Sequence, residues 1–292
     1  MTIVIFLSCV IPALTSGGNA AAVAATGRLA APAGYTQKQL IFDDRFTGTS
    51  LNSSNWNAYL GASGTRWDDH GYLPYPYSGP NTPITNEAAM FAPSQVSVNN
   101  GLTLSATHNT TRYGGTYPWL SGVVTTEGKF TLPTNGWYVQ VKAKMPNQAL
   151  GMWPAIWFLP PTGGTPYNEL DGYEGGFLDG SNVNDVMHSD YFSFEGQQQN
   201  AYSVNADVTA RYHVYGFRFV PGRSITAYFD GRQVWQVSAS SGTTITAEPY
   251  EILIELQVAT AQISHHTVAT NTTPSATMKV AEVQAYTNRT NR

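Results

Sequence analysis

In the stretch "NELDGYEGG" (168–176), three carboxylates, Glu169, Asp171 and Glu174, occupy six positions of a 292-residue chain in which charged residues make up only 12%. Side chains alternate along a strand, so Glu169 and Asp171 share one face, while Glu174, five positions from Glu169, falls on the other. One extra residue inside 171–174, a β-bulge, restores the phase and brings all three acids to one face. Gly172 is the residue that best accepts the distorted backbone. Carboxylates crowded in this way repel one another unless their pKa values separate into ionised and protonated members. Such a set suits cleavage of a glycosidic bond, where one carboxylate attacks or stabilises the anomeric carbon and one carboxyl protonates the leaving oxygen. Two blander readings compete: an acidic patch on a solvated face, and a cation site, although the loop spacing of a calcium-binding EF-hand is absent.

The elements that must position these acids read as strands. From Gln39 onward short apolar or alternating runs recur between turn signals, and no stretch of a dozen residues carries a 3.6-residue period. In "WYVQVKAK" (137–144), Trp137, Val139, Val141 and Ala143 fall on one face and Tyr138, Gln140, Lys142 and Lys144 on the other, which predicts a half-buried strand. Asp230-Gly231 lies between two β-rich runs in "SITAYFDGRQVWQV" (224–237), the signature of a type I′ hairpin. In "YEILIELQV" (250–258), Ile252, Ile254, Leu256 and Val258 alternate with Glu251, Leu253, Glu255 and Gln257. Many such strands predict an all-β fold, a β-jelly-roll sandwich of two curved antiparallel sheets with a groove on the concave face. A polar and aromatic groove suits a long, uncharged, hydroxyl-rich polymer.

Composition narrows the partners. The net charge is −4 and the 15 Lys and Arg are scattered, so no basic cluster is available to neutralise a phosphate backbone, and nucleic acid is excluded as a partner. Gly (27), Pro (17) and Tyr (17) favour strands and turns, and aromatic rings supply faces for stacking sugars. The apolar run "TIVIFLSCVIPAL" (2–14) is too short to span a bilayer comfortably and precedes Ala22-Val23-Ala24, an A-x-A cleavage site. Residues 1–24 therefore read as a signal peptide, 25–37 as a flexible linker and 38–288 as the folded domain, which predicts a secreted monomer with no membrane attachment after cleavage. Cys9, the one cysteine, lies in the leader, so thiol catalysis and cysteine metal sites are excluded from the mature chain.

The run Glu169-Leu170-Asp171-Gly172-Tyr173-Glu174 resembles the bulged E-x-D-x-x-E signature of glycoside hydrolase family 16, in the form typical of its laminarinase-like members. The resemblance extends over about residues 40 to 287. "FDDRFTGTSLNSSNWN" (42–57) is similar to the family's opening strand and turn, "GMWPAIWFLP" (151–160) to its W-P-A-x-W strand, "YHVYGFRFVPGRSITAYFDG" (212–231) to its late hairpin and "MKVAEVQAY" (278–286) to its closing strand. The resemblance implies a retaining mechanism with Glu169 as nucleophile, Glu174 as general acid/base and Asp171 tuning both. It further implies that Trp153, on one strand face with Trp157, is a sugar platform and that His188 lies in the cleft. Tyr167, which with Asn168 stands where the family commonly has a Trp and then a small residue, Trp67 and Tyr75 in the aromatic loop 64–80, and Gln257 complete the candidate substrate-binding set. No catalytic cofactor or metal is implied, and a structural calcium ion is left open.

These features predict a secreted, retaining endo-β-glycosidase, with β-1,3- or mixed-linkage β-1,3-1,4-glucan as first choice of substrate. A β-galactan or algal-polysaccharide hydrolase, a transglycosylase of the same fold, and a non-catalytic jelly-roll lectin remain as alternatives. A lectin has no need of a carboxylate pair on one strand face.

Overall fold

The structure is a computed structural model that describes residues 27–58, 87–109, 118–161, 168–178, 182–193, 195–261 and 263–288, with the backbone of 67–68 and 71–72. The signal peptide expected at 1–24, Tyr75 and Tyr167 lie outside the described residues, as does the side chain of Trp67. No helix among the described residues is long and apolar enough to cross a membrane.

The chain is almost entirely β. The strands are β1 (Leu40–Asp44), β2 (Trp67–Asp68), β3 (Gly71–Tyr72), β4 (Ala89–Phe91), β5 (Val96–Val98), β6 (Leu102–His108), β7 (Trp119–Ser121), β8 (Val123–Thr125) and β9 (Trp137–Lys144). They continue as β10 (Met152–Leu159), β11 (Leu170–Glu174), β12 (Val186–Ser193), β13 (Gly196–Ser203), β14 (His213–Val220), β15 (Ser224–Phe229), β16 (Arg232–Ser238), β17 (Glu251–Val258) and β18 (Ala276–Thr287). Two sheets form. The larger runs β16-β15-β14-β9-β18-β6-β7-β4-β3-β2, with β1 on β18 and β5 on β6, and the smaller runs β13-β12-β11-β10-β17-β8. They stack as a jelly-roll sandwich, the fold class that the alternation predicts. The core between them joins Val139, Val141 and Phe217 of the large sheet to Ile156, Leu170, Tyr173 and Ile254 of the small one. Asp230 and Gly231 both take positive φ, 48° and 79°, and close the β15–β16 hairpin as expected.

Two expectations change. β9 is buried on both faces: beside its core face, Tyr138, Gln140 and Lys142 are also covered. The cover is part of the stretch read as a flexible linker. Lys142 Nζ donates to the Gly27 carbonyl (2.6 Å), Gln140 Nε2 to that of Ala30 (2.8 Å), and the Tyr35 ring tilts onto Tyr138 at 5.4 Å. Arg28 pairs with Asp43 at 2.7 Å and the Leu29 N–H donates to Glu282 (2.8 Å). Residues 27–36 therefore belong to the folded body, because unmet polar groups on the outer face of β9 and β18 find their partners there.

Candidate active site

β11 carries the acids, and its register shows how. Asp171 pairs with Trp157 and Tyr173 with Ile156 on β10, while on β12 Asp171 pairs with Asp190 and Glu174 with His188. Consecutive residues of β10 thus meet Asp171 and Tyr173, and Gly172 is the extra residue. Leu170 and Tyr173 point into the core, and Glu169, Asp171 and Glu174 all face away from it into a groove of about 420 Å³. The reason for glycine here differs from the expected one. Gly172 does not adopt a positive φ; a Cβ on it would meet the Phe217 ring, with Cδ1 at 2.5 Å and Cε1 at 2.6 Å. Glycine is required by the close approach of the opposite sheet.

Cross-strand pairing organises the groove face into rows. One row runs Ala201, His188, Glu174, Ala155, Glu255, Val123 from β13 to β8, and the next Gln199, Asp190, Asp171, Trp157, Leu253, Thr125. Glu169 stands just before β11, where its carbonyl accepts the Phe192 N–H at 2.9 Å. Among the described residues, six carboxyl groups line the groove: the three of the motif with Glu87, Asp190 and Glu255. The motif did not reveal the last three, although the polar face of β17 already placed Glu255 opposite its core residues.

Crowding and burial raise Glu87, Glu169, Asp171, Asp190 and Glu255. Burial, reinforced by the charges of Glu174 and Asp190, pushes Glu169 up to about 7. Asp171 is held well above the usual carboxylate range by burial and then by Glu169, Glu174, Asp190 and Glu255. Its protonated form is thereby favoured over the charged one relative to a carboxyl group in water. Asp190 rises to about 6, chiefly through burial, with Gln197 donating to its carboxyl group. Burial alone would hold His188 neutral, but its hydrogen bond to Glu174 and that group's charge outweigh it, so its pKa is raised.

Glu174 is fixed from two sides. Trp153 Nε1 donates to Oε1 (3.0 Å), and His188 Nδ1 meets Oε2 at 2.9 Å, an ion pair when the imidazole is protonated. His188 is itself stacked on Phe177, with ring centroids 4.2 Å apart, and its Nε2 lies 3.2 Å from Gln199 Oε1. Trp153 packs edge-on against Phe177 (6.2 Å) and tilts onto His266 (5.4 Å). Trp153, expected as a sugar platform, therefore also orients Glu174. Trp153→Phe keeps the ring and removes the N–H. It should lower kcat about tenfold with little change in Tm, which steady-state kinetics beside thermal denaturation will read.

The other candidates divide. Trp157 lines the groove but is 5% exposed and packs with Phe91, Val123 and Leu253, so it forms the floor. Gln257, expected to contact substrate, is fully buried. Its Oε1 accepts the N–H groups of Ala89 (3.0 Å) and Val258 (2.8 Å), and its amide reaches Glu87 at 3.4 Å. It fastens the segment before β4 to β17 instead. Among the described residues no group of three or more His, Cys, Asp or Glu is arranged to hold a metal ion.

A two-sheet jelly roll with a carboxyl-lined groove on one sheet has the architecture and functional groups of a glycoside hydrolase. The model of glycosyl hydrolases family 16 matches residues 85–281, and the chain belongs to that family. Among solved structures, it is similar to an endo-β-1,3-glucanase from Pyrococcus furiosus, with 24% identity over 85% of this chain and 94% of the other and a TM-score of 0.66. It is similar to the catalytic domain of an endo-1,3-β-glucanase (laminarinase) from Thermotoga petrophila RKU-1, at 19% identity, 86% and 98% coverage and a TM-score of 0.67. The Bacteroides ovatus mixed-linkage glucan family 16 protein, solved with a G4G4G3G product, matches at 19% identity, 84% and 99% coverage and a TM-score of 0.63. At these identities the likeness is one of fold. No curated protein matches the chain.

Proposed function

We propose that this chain is a secreted endo-β-glycosidase that cleaves β-1,3- or mixed-linkage glucan with retention of anomeric configuration. The observation that carries the reading is the bulge at Gly172, which turns Glu169, Asp171 and Glu174 to one groove-lined face. Glu169, once ionised, attacks the anomeric carbon as the glycosidic bond breaks, and Glu174 gives its proton to the leaving oxygen. His188, 2.9 Å from Glu174, is placed to hand that carboxyl a proton. Water, deprotonated by Glu174, then releases the sugar from Glu169. Asp171, between them in sequence and with its protonated form favoured by burial, acts as a hydrogen-bond donor to its neighbours. The glucan preference draws on the family and on the glucanase names of the structural neighbours, and the secretion on the 1–24 leader.

Reducing-end release from laminarin, lichenan, agarose, carrageenan and β-1,3-galactan tests the reading. Laminarin or lichenan is expected to lose viscosity quickly and yield mixed oligosaccharides. Cleavage of agarose or galactan alone would move the substrate to the algal class. Retention of a polymer without cleavage would make the protein a lectin, and a single small sugar from the outset would exclude internal attack.

A further inference from the structure

The chemistry proposed for Glu169 and Glu174 makes no use of Glu255, although its placement is as well defined as theirs. Glu174, Ala155 and Glu255 pair in one row across β11, β10 and β17. Ala155 ends at a methyl group and leaves the space above it to the two longer side chains. Glu255 is 8% exposed and lines the groove on the flank opposite His188. The titratable groups that face it are Glu169, Asp171 and Glu174 from β11 and Glu87 from the segment before β4, with the Trp157 indole beside it on β10. Among the described residues lining the groove there is no Lys or Arg. A buried carboxylate without a countercharge is costly, so the group takes its uncharged form. Burial, with the charges of Glu174 and Glu169, accordingly pushes it up to about 8. An uncharged carboxyl has one donor and several acceptor positions, and Trp157 meets only one of the latter. The flank behind it is rigid, because Gln257 is bonded to Ala89 and to Glu87.

We propose that Glu255 binds substrate directly: its COOH group takes two neighbouring hydroxyls of a neutral pyranose, donating to one and accepting from the other, and disfavours sugars carrying sulfate or carboxylate. This rests on the reading of the groove as a site for neutral polysaccharide. It explains why β17, separated from the catalytic strand by β10, holds a buried acid that the bond-breaking step does not require. It also makes affinity depend on pH separately from turnover.

The test measures binding in the Glu169→Gln protein, which does not turn substrate over, by titration calorimetry with laminarihexaose. Glu255→Gln retains a donor and an acceptor and should weaken binding about threefold, while Glu255→Leu retains neither and should weaken it about 30-fold. With Glu255 present, affinity should fall at alkaline pH as the carboxyl loses its donor proton, with a midpoint held above the ordinary carboxylate value by burial and the charge of Glu174 but below that of the wild type, because the Glu169 charge is gone. With Gln at 255 that fall should be smaller, since only the neighbouring groove acids still titrate. If Leu binds as well as Glu and only Tm falls, the residue is structural and the proposal is overturned. It is also overturned if Gln is as damaging as Leu. If the Glu169→Gln protein binds a neutral galactan oligosaccharide and not the glucan, the glucan reading fails and the same comparison is made on the galactan. Preference for a sulfated carrageenan oligosaccharide over both neutral ligands overturns the assignment of Glu255 itself.

Discussion

Glu169→Gln is expected to reduce turnover by about 10⁴-fold or more while substrate binding stays nearly intact, because the amide fills the same volume but cannot attack the anomeric carbon. Glu174→Ala should fail differently. On glucan it should lose about 10² to 10⁴-fold, the range of a positioned general acid. On an activated aryl glycoside, whose leaving group needs no proton, the first step should stay within about tenfold of wild type, because it does not draw on that contribution. The glycosyl-enzyme should then accumulate, since no base remains to activate water, and mass spectrometry should find the sugar on Glu169. A sugar on Glu174, or products of inverted anomeric configuration, would reverse the two roles.

The pH profile carries the same assignment. Glu169 is pushed up to about 7 and is protonated below that value, so kcat/KM should rise as pH increases through about 7. The charges of Glu174 and Asp190 are, after burial, what raise it. Asp190→Asn should therefore move the acidic limb to lower pH, with a modest loss in maximal rate. Asp171→Asn should move that limb less, because the charges that raise Glu169 are those of Glu174 and Asp190.

Short-range pattern reached far into this site, and its failures share one cause. The parity of Glu169, Asp171 and Glu174 located the bulge from a single strand, since an odd spacing of residues that must share a face leaves no other local solution. The shared face of Trp153 and Trp157 followed from the same alternation, and both line the groove. What a strand's own sequence does not contain is its second layer. The polar face of β9 reads as solvent-facing until Gly27, Ala30 and Tyr35 are laid over it. Gln257 reads as a groove residue until the backbone of Ala89, 168 positions away, takes up its amide. Glu87 lies in an undistinguished segment and becomes part of the site only when β17 packs beside it. The reason for glycine at 172 is of the same kind: Phe217 comes from the opposite sheet, and nothing near 172 announces it.

That last contact leads to a pair of opposed results from one position. Gly172→Val drives a Cβ to within 2.6 Å of two Phe217 ring atoms, and Phe217 is fully buried in the core and packed edge-on against Phe158 at 5.6 Å between centroids, so the ring has little room to move. The substitution should cost about 1–3 kcal/mol in stability. That corresponds to a Tm lower by roughly 2–12 °C for a domain of this size, and activity should fall with the displaced Glu174. Deleting Gly172 should be milder for activity, although deletion is ordinarily the harsher change. On β10 the pairs Trp157–Asp171, Ile156–Tyr173 and Ala155–Glu174 become consecutive once residue 172 is gone, and on β12 the pairs Asp190–Asp171 and His188–Glu174 come into step. The remaining run, Glu169-Leu170-Asp171-Tyr173-Glu174, alternates regularly, with all three acids on the groove face and Leu170 and Tyr173 still in the core. Deleting Leu170 shortens the chain equally but reverses the phase of Glu169 against Asp171. Laminarin hydrolysis should therefore survive the Gly172 deletion with a loss of no more than about 100-fold, the scale of a small misplacement of catalytic groups, and fall to background in the Leu170 deletion. Equal loss in the two would mean that the kink of the bulge itself, and not the shared face it restores, is what the acids require.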